Sequence, residues 1–101
     1  MSDLLSPAKF KMPISQSAVS EDWKGRGYSC GLFVDPPGQR WENFVHSCNE
    51  VVMVQEGRLE MEVSGVIIEM VPGDEVFIPK NAVHSVRNIH SGISKWLYGY
   101  D

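Results

Sequence analysis

The segment Gly38–Gly57 reads GQRWENFVHSCNEVVMVQEG, and the segment Gly73–Asn88 reads GDEVFIPKNAVHSVRN. Both are framed by glycine and carry histidine at a fixed depth. In the first, five residues separate Gly38 from Phe44, one separates Phe44 from His46, three separate His46 from Glu50, and six lead to Gly57. In the second, five residues lead from Gly73 to Pro79-Lys80-Asn81, two more to His84, and three more to Asn88. On an extended strand Phe44 and His46 share a face, about 6.6 Å apart at a rise of ~3.3 Å per residue. The polar tract Ser47-Cys48-Asn49 suits a turn or bulge, so Glu50 can open a return strand with Val52 and Val54 as its inward neighbours. By the same parity Val86 and Asn88 follow His84. Glu42 shares the inward phase of Phe44 but lies about 13 Å along the strand from His46 at that rise, too far to join it.

Outward from these segments, turn signals recur at Gly25/Gly27, Pro36-Pro37-Gly38, Glu56-Gly57, Ser64-Gly65, Pro72-Gly73, Pro79-Lys80-Asn81 and Ser91-Gly92, with short apolar runs between them. Regular turns between short strands indicate an all-β sandwich or barrel. The clearest hairpin is Arg58 to Met70: Leu59, Met61 and Val63 alternate with Glu60 and Glu62 before Ser64-Gly65, which places the apolar set inside. Trp96, Tyr98 and Tyr100 share one face of the last strand and Leu97 takes the other. The first residues, with Ser-Pro and Met-Pro pairs, read as an arm in which proline prevents a continuous helix or central strand. The division expected is an arm over residues 1–20, packing on the barrel or on a partner subunit, and a barrel over 21–101. No long segment carries a helical period.

The two glycine-framed segments resemble the signature motifs of the cupin family. Two positions depart from the pattern: Phe44 stands where the family's first histidine is expected, and Asn81 replaces a glycine. Asn tolerates a positive φ better than most residues, so the turn that delivers His84 can survive. The resemblance spans about Gly31 to Tyr100 and implies a small single-domain β-barrel of the jelly-roll type. In such a barrel His46, Glu50 and His84 converge on one inner wall. Two imidazoles and a carboxylate with open positions beside them form the ligand set of many non-haem Fe(II) sites, and Mn, Zn or Ni also accept it. The same residues can also be read as a hydrogen-bonded histidine–glutamate pair. Two functions follow. One is a metal-dependent pocket with oxygenase, isomerase or lyase chemistry on a small organic molecule. The other is a metal-free binding or sensing module whose apolar barrel is lined by Phe44, Val52, Val54, Met61 and Tyr98. The resemblance alone does not choose, since cupins include enzymes of several classes, storage proteins and sensing domains.

Composition narrows the partners. A chain of 101 residues with 43% hydrophobic residues suits one domain with its own core. A net charge of −4 without a Lys/Arg cluster gives no footprint for nucleic acid. No apolar run approaches the roughly 20 residues that span a bilayer. Two cysteines do not make a disulfide framework, and no charged-then-apolar leader opens the chain, so a cytoplasmic protein with reduced thiols is expected. Cys48 has no basic neighbour in sequence to activate it, and His90 sits at a strand end; neither is assigned to the site. Val51 and Met53 make one strand apolar on both faces. A homodimer is expected to cover that outer face, with the arm at its edge.

Overall fold

The computed structural model describes residues 3–101, so the first two residues of the expected arm lie outside the described residues. The fold is an antiparallel two-sheet barrel. Strands β1 (Leu5–Ser6), β2 (Gly31–Asp35), β3 (Arg40–Phe44), β4 (Glu50–Glu56), β5 (Leu59–Val63), β6 (Val66–Met70), β7 (Glu75–Ile78), β8 (His84–Asn88) and β9 (Ser94–Tyr100) follow in chain order, with helix α1 (Gln16–Gly25) between β1 and β2. One sheet has the order β1-β7-β4-β9-β2 and the other β3-β8-β5-β6. The expected hairpin is β5–β6, paired from Leu59↔Met70 to Val63↔Val66. Ser64 and Gly65 both hold positive φ, 48° and 84°, which closes a two-residue turn with the right twist. Asn81 adopts φ 66°, as expected of its turn.

Alternation divides the chain into two cores on opposite faces of the five-stranded sheet. Inside the barrel, Val52, Val54, Leu59, Met61, Val63, Ile68, Met70, Val76, Ile78, Val86 and Trp96 form one cluster. On the outer face, Val51, Met53 and Leu97 pack against Val19 and Trp23, with Phe10, Ile14, Tyr28, Cys30 and Phe77 at the margin. Here two expectations are corrected. The segment before β2 does contain a helix. Ser15 caps it by accepting from the Ala18 amide, and its only buried residues, Val19 and Trp23, lie one turn apart. Two apolar anchors in ten residues leave too faint a period to read, and α1 runs across the division expected between residues 20 and 21. Moreover Val51 and Met53, 1% and 0% exposed, are covered by the chain's own arm and helix, so the face assigned to a second copy is already filled.

The arm is fixed by polar contacts as well. Strand β1 pairs with β7 at the sheet edge. Asp74 accepts from the Ala8 amide at 2.8 Å. The buried Glu75 carboxylate accepts from Trp23 Nε1 at 2.7 Å and from Arg26 Nη2 and Nη1 at 2.7 and 3.1 Å. Gly99 makes room for this packing: a Cβ there would overlap the Ser29 carbonyl oxygen and meet the Trp23 ring at 3.0 Å. Asn88 supports the opposite end of the barrel. It donates to the carbonyls of Asp35, Pro36 and Gly92 and accepts from the His90 amide and Ser94 Oγ.

Candidate metal centre

At one mouth of the barrel the starts of two strands meet the end of a third. Glu50 opens β4, His84 opens β8, and Tyr100 closes β9 directly opposite Glu50. His46 lies in the loop after β3, whose last residue Phe44 pairs with His84. That loop is fastened on both sides. The His46 carbonyl accepts from the Asn81 amide at 2.7 Å, which joins the two glycine-framed segments directly. Asn49 binds the Asp101 carboxylate through its amide and its Nδ2, at 2.9 and 2.8 Å.

The three residues singled out from sequence come together. One ligand atom from each of His46, Glu50 and His84 lies within 4.8 Å of the others, a group that could hold a metal ion. Glu50 Oε1 stands 3.4 Å from His84 Nε2 and 3.7 Å from His46 Nε2. The side chains of Glu50 and His84 are 5% and 4% exposed, whereas His46 is 31% exposed, so the cluster opens to solvent on the His46 side. His84 Nδ1 faces the Ala82 carbonyl at 3.0 Å. With Nδ1–H donating there, the neutral ring turns its Nε2 lone pair toward Glu50. Burial pulls the His84 pKa down, but the facing Glu50 carboxylate and the Ala82 carbonyl outweigh it, and the net shift is above the ordinary imidazole value.

The residues fit a cation. Among the described residues two buried side-chain oxygens lack a hydrogen-bond partner, Glu50 Oε1 and Gln55 Oε1. Only the first is charged and faces two imidazole nitrogens. A buried carboxylate oxygen without a donor is costly unless a cation completes it. Ligands about 2.0–2.2 Å from a common ion stand roughly 3.0–3.6 Å from one another; the Glu50–His84 separation of 3.4 Å falls in that range and the Glu50–His46 separation of 3.7 Å lies just beyond it.

The cluster forms the polar end of a cavity of about 150 Å³. Phe33, Trp41, Phe44, Val86 and Trp96 make its apolar wall, and Tyr100 joins the three candidate ligands. Phe44, 39% exposed, stands beside the site as expected, its ring 6.3 Å from His46 and 6.4 Å from His84. The other residues expected to line the pocket do not. Val52, Val54 and Met61 are fully buried in the barrel core, and Tyr98 packs on Phe33 at 4.6 Å outside the cavity wall. Parity gave their face correctly but not their depth along the barrel.

Five lining residues, Phe33, Trp41, Val86, Trp96 and Tyr100, lie outside the set expected from the sequence, although parity does put Val86 on the face of His84. Trp41 enters because β3 shifts register between Trp41 and Phe44, where Asn43 holds φ 59°. The same irregularity reverses the phase of Glu42, which turns outward to bind Arg87 at 2.9 and 3.0 Å. Tyr100 was named only as part of the aromatic face of β9. Its hydroxyl lies 3.5 Å from His46 Nε2, and burial first, then the Glu50 charge, pushes its pKa up to about 12. Phe33 and Trp96 complete the row, 4.7 Å apart.

This chain belongs to the cupin family: the model of the cupin domain matches residues 31–100. Among solved structures it is similar to a cupin 2 domain-containing protein from Halorhodospira halophila, with 24% identity, a TM-score of 0.69, and coverage of 73% of this chain and 52% of that one. An RmlC-like cupin from Shewanella frigidimarina gives 20% identity and a TM-score of 0.66, covering 72% of this chain and 64% of that one. A salicylate 1,2-dioxygenase variant from Pseudoaminobacter salicylatoxidans gives 16% identity and a TM-score of 0.66, covering 73% of this chain but 21% of the dioxygenase. At these identities the likeness is one of fold. None of the curated proteins compared matches this chain. Among the described residues no helix is long and apolar enough to cross a membrane.

Proposed function

We propose that this small cupin binds one divalent metal ion through His46, Glu50 and His84 and admits a small organic ligand from the Phe44 side. The observation that carries the reading is Glu50 Oε1, buried, charged, without a hydrogen bond and flanked by two imidazoles. A bound Fe, Mn, Zn or Ni ion would supply Lewis-acid or, for Fe and Mn, redox chemistry. The chain's own residues prepare the place. The Ala82 carbonyl fixes the tautomer and direction of His84, and the Asn81 amide holds the loop that carries His46. Tyr100 Oη keeps its proton at neutral pH and can donate a hydrogen bond to a ligand atom near His46. The aromatic wall keeps bulk water from the inner side of the cavity.

The test is metal content of protein purified without chelator or metal-affinity resin, followed by titration with Zn, Mn and Fe(II). About one ion per chain is expected, and His84→Ala should abolish most uptake while leaving the β-type circular dichroism intact. Unchanged stoichiometry in that variant, or in His46→Ala, would remove the three-ligand model. A second reading is favoured by Phe44, which occupies the place where the family's pattern offers a histidine and cannot coordinate. In that reading the pocket binds its ligand without metal, and the His–Glu cluster serves only as a hydrogen-bonding end. Absence of uptake for all three ions would select it.

A further inference from the structure

The cavity's wall restricts its ligand more narrowly than its metal cluster does. Both tryptophans in the wall have spent their only polar group: Trp41 Nε1 donates to Asp35 Oδ2 at 3.1 Å and Trp96 Nε1 donates to the same oxygen at 2.8 Å. Asp35 is 3% exposed, so this pairing is itself walled off. The indoles therefore offer the cavity carbon alone, and Phe33, Phe44 and Val86 offer nothing else. Among the described residues no Lys or Arg lines the cavity, which gives no counter-charge for a phosphate or for a second acidic group on the ligand. Polar atoms are confined to one end, at His46, Glu50, His84 and Tyr100. The volume, about 150 Å³, is that of a cavity known to accommodate one benzene ring.

Resting on the metal-site reading above, we infer that the ligand is a single aromatic ring carrying one oxygen donor, a phenol or an aryl carboxylate, with its ring against the Trp41–Phe33–Trp96 wall and its oxygen at the His46–Glu50–His84 end. A divalent ion with one carboxylate leaves that end net positive, which draws an oxygen anion and repels an organic cation. Without the ion, a phenol hydroxyl would still find an acceptor in Glu50 Oε1, which has none of its own donors. Aromatic walls prefer an aromatic guest because ring pairs gain stabilisation beyond their buried area.

Calorimetry with two matched pairs tests this. Benzoate and cyclohexanecarboxylate are titrated into zinc-loaded protein, and phenol and cyclohexanol into metal-free protein. The aromatic member of each pair should bind at least about threefold more tightly. Phe44→Leu, which removes one ring from the wall, should narrow that preference. Equal affinities within both pairs, or no detectable binding of any of the four at millimolar concentration, would overturn the inference. Failure of wild-type protein to take up zinc would overturn the metal reading instead, and the phenol–cyclohexanol pair would still decide the ring preference. Tighter binding of benzylammonium than of phenol to metal-free protein would assign the pocket to an organic cation and overturn the oxygen-donor part.

Discussion

Glu50 and Glu75 are each 4% exposed and lie on neighbouring strands of the same sheet, facing opposite sides of it. Glu75 faces the outer core and is saturated: the Trp23 indole and the Arg26 guanidinium donate to it, and Lys9 stands 3.8 Å away. Glu50 faces the barrel, and its Oε1 accepts nothing. Burial is the same and the surroundings are opposite, so burial alone does not tell a structural carboxylate from one kept for a ligand. The supply of donors does. Glu75 holds the arm and helix to the sheet, whereas Glu50 leaves a charge open where a cation and a ligand can meet it.

If that contrast is right, damage on the two faces should separate. The largest effect falls on the outer core. Trp23→Ala removes a ring that is 0% exposed and should cost about 3–5 kcal/mol in urea unfolding. Metal uptake by the remaining folded fraction should persist. A variant as stable as wild type would mean that the helix is not part of the folded core. Glu75→Gln keeps an acceptor for the indole but removes one of the two acidic partners of Arg26, leaving Asp22. Because Arg26 is 35% exposed, the expected loss is screened to about 1–2 kcal/mol.

The inner face gives smaller effects on stability and larger ones on binding. Phe44→His should tighten zinc binding by about tenfold, ~1.4 kcal/mol, since the ring at this position stands beside both histidines. Unchanged affinity in a folded variant would place the side chain out of reach of the ion. The smallest effect is that of pH. The His84 pKa lies above the ordinary value of 6.5, so in metal-free protein its stabilising contribution is complete below about pH 6.5 and is lost as pH rises through the raised pKa. Metal uptake should run the other way, weakening as pH falls through that same raised value because a protonated imidazole cannot ligate. Zinc titrations between about pH 5.5 and 8 would check the direction.

How much of this was legible in the sequence follows from what period two can encode. The β5–β6 hairpin and its Ser64-Gly65 turn were readable because Leu59, Met61 and Val63 alternate strictly with glutamates. The meeting of His46, Glu50 and His84 was readable through the resemblance of the two glycine-framed segments to the cupin motifs, and Val52 and Val54 do share the inner face of Glu50. Parity fails where the backbone breaks step. The bulge at Asn43 exchanges the faces of Trp41 and Glu42, and its one trace in the sequence is an Asn, which tolerates a positive φ, inside the strand. Nor does alternation say how far down a barrel a residue lies, which is why Val52, Val54 and Met61 sit in the core while Trp41, Phe33, Trp96 and Tyr100 line the cavity. Helix α1 escaped because Val19 and Trp23 are its only anchors. With it escaped the cover over Val51 and Met53, so the argument for a dimer through that face loses its basis.

The central claim is that Glu50 is held open for a metal ion, and Glu50→Gln tests it most directly when zinc affinity and metal-free stability are measured on the same preparation. Loss of a ligating carboxylate should weaken zinc binding by more than about a hundredfold, beyond what the loss of a supporting hydrogen bond does. Measured above the raised His84 pKa, where the ring is neutral and Oε1 has no hydrogen bond to lose, metal-free stability should change by less than about 1 kcal/mol. Unchanged zinc affinity, or a loss of metal-free stability as large as that of Glu75→Gln, would contradict the account.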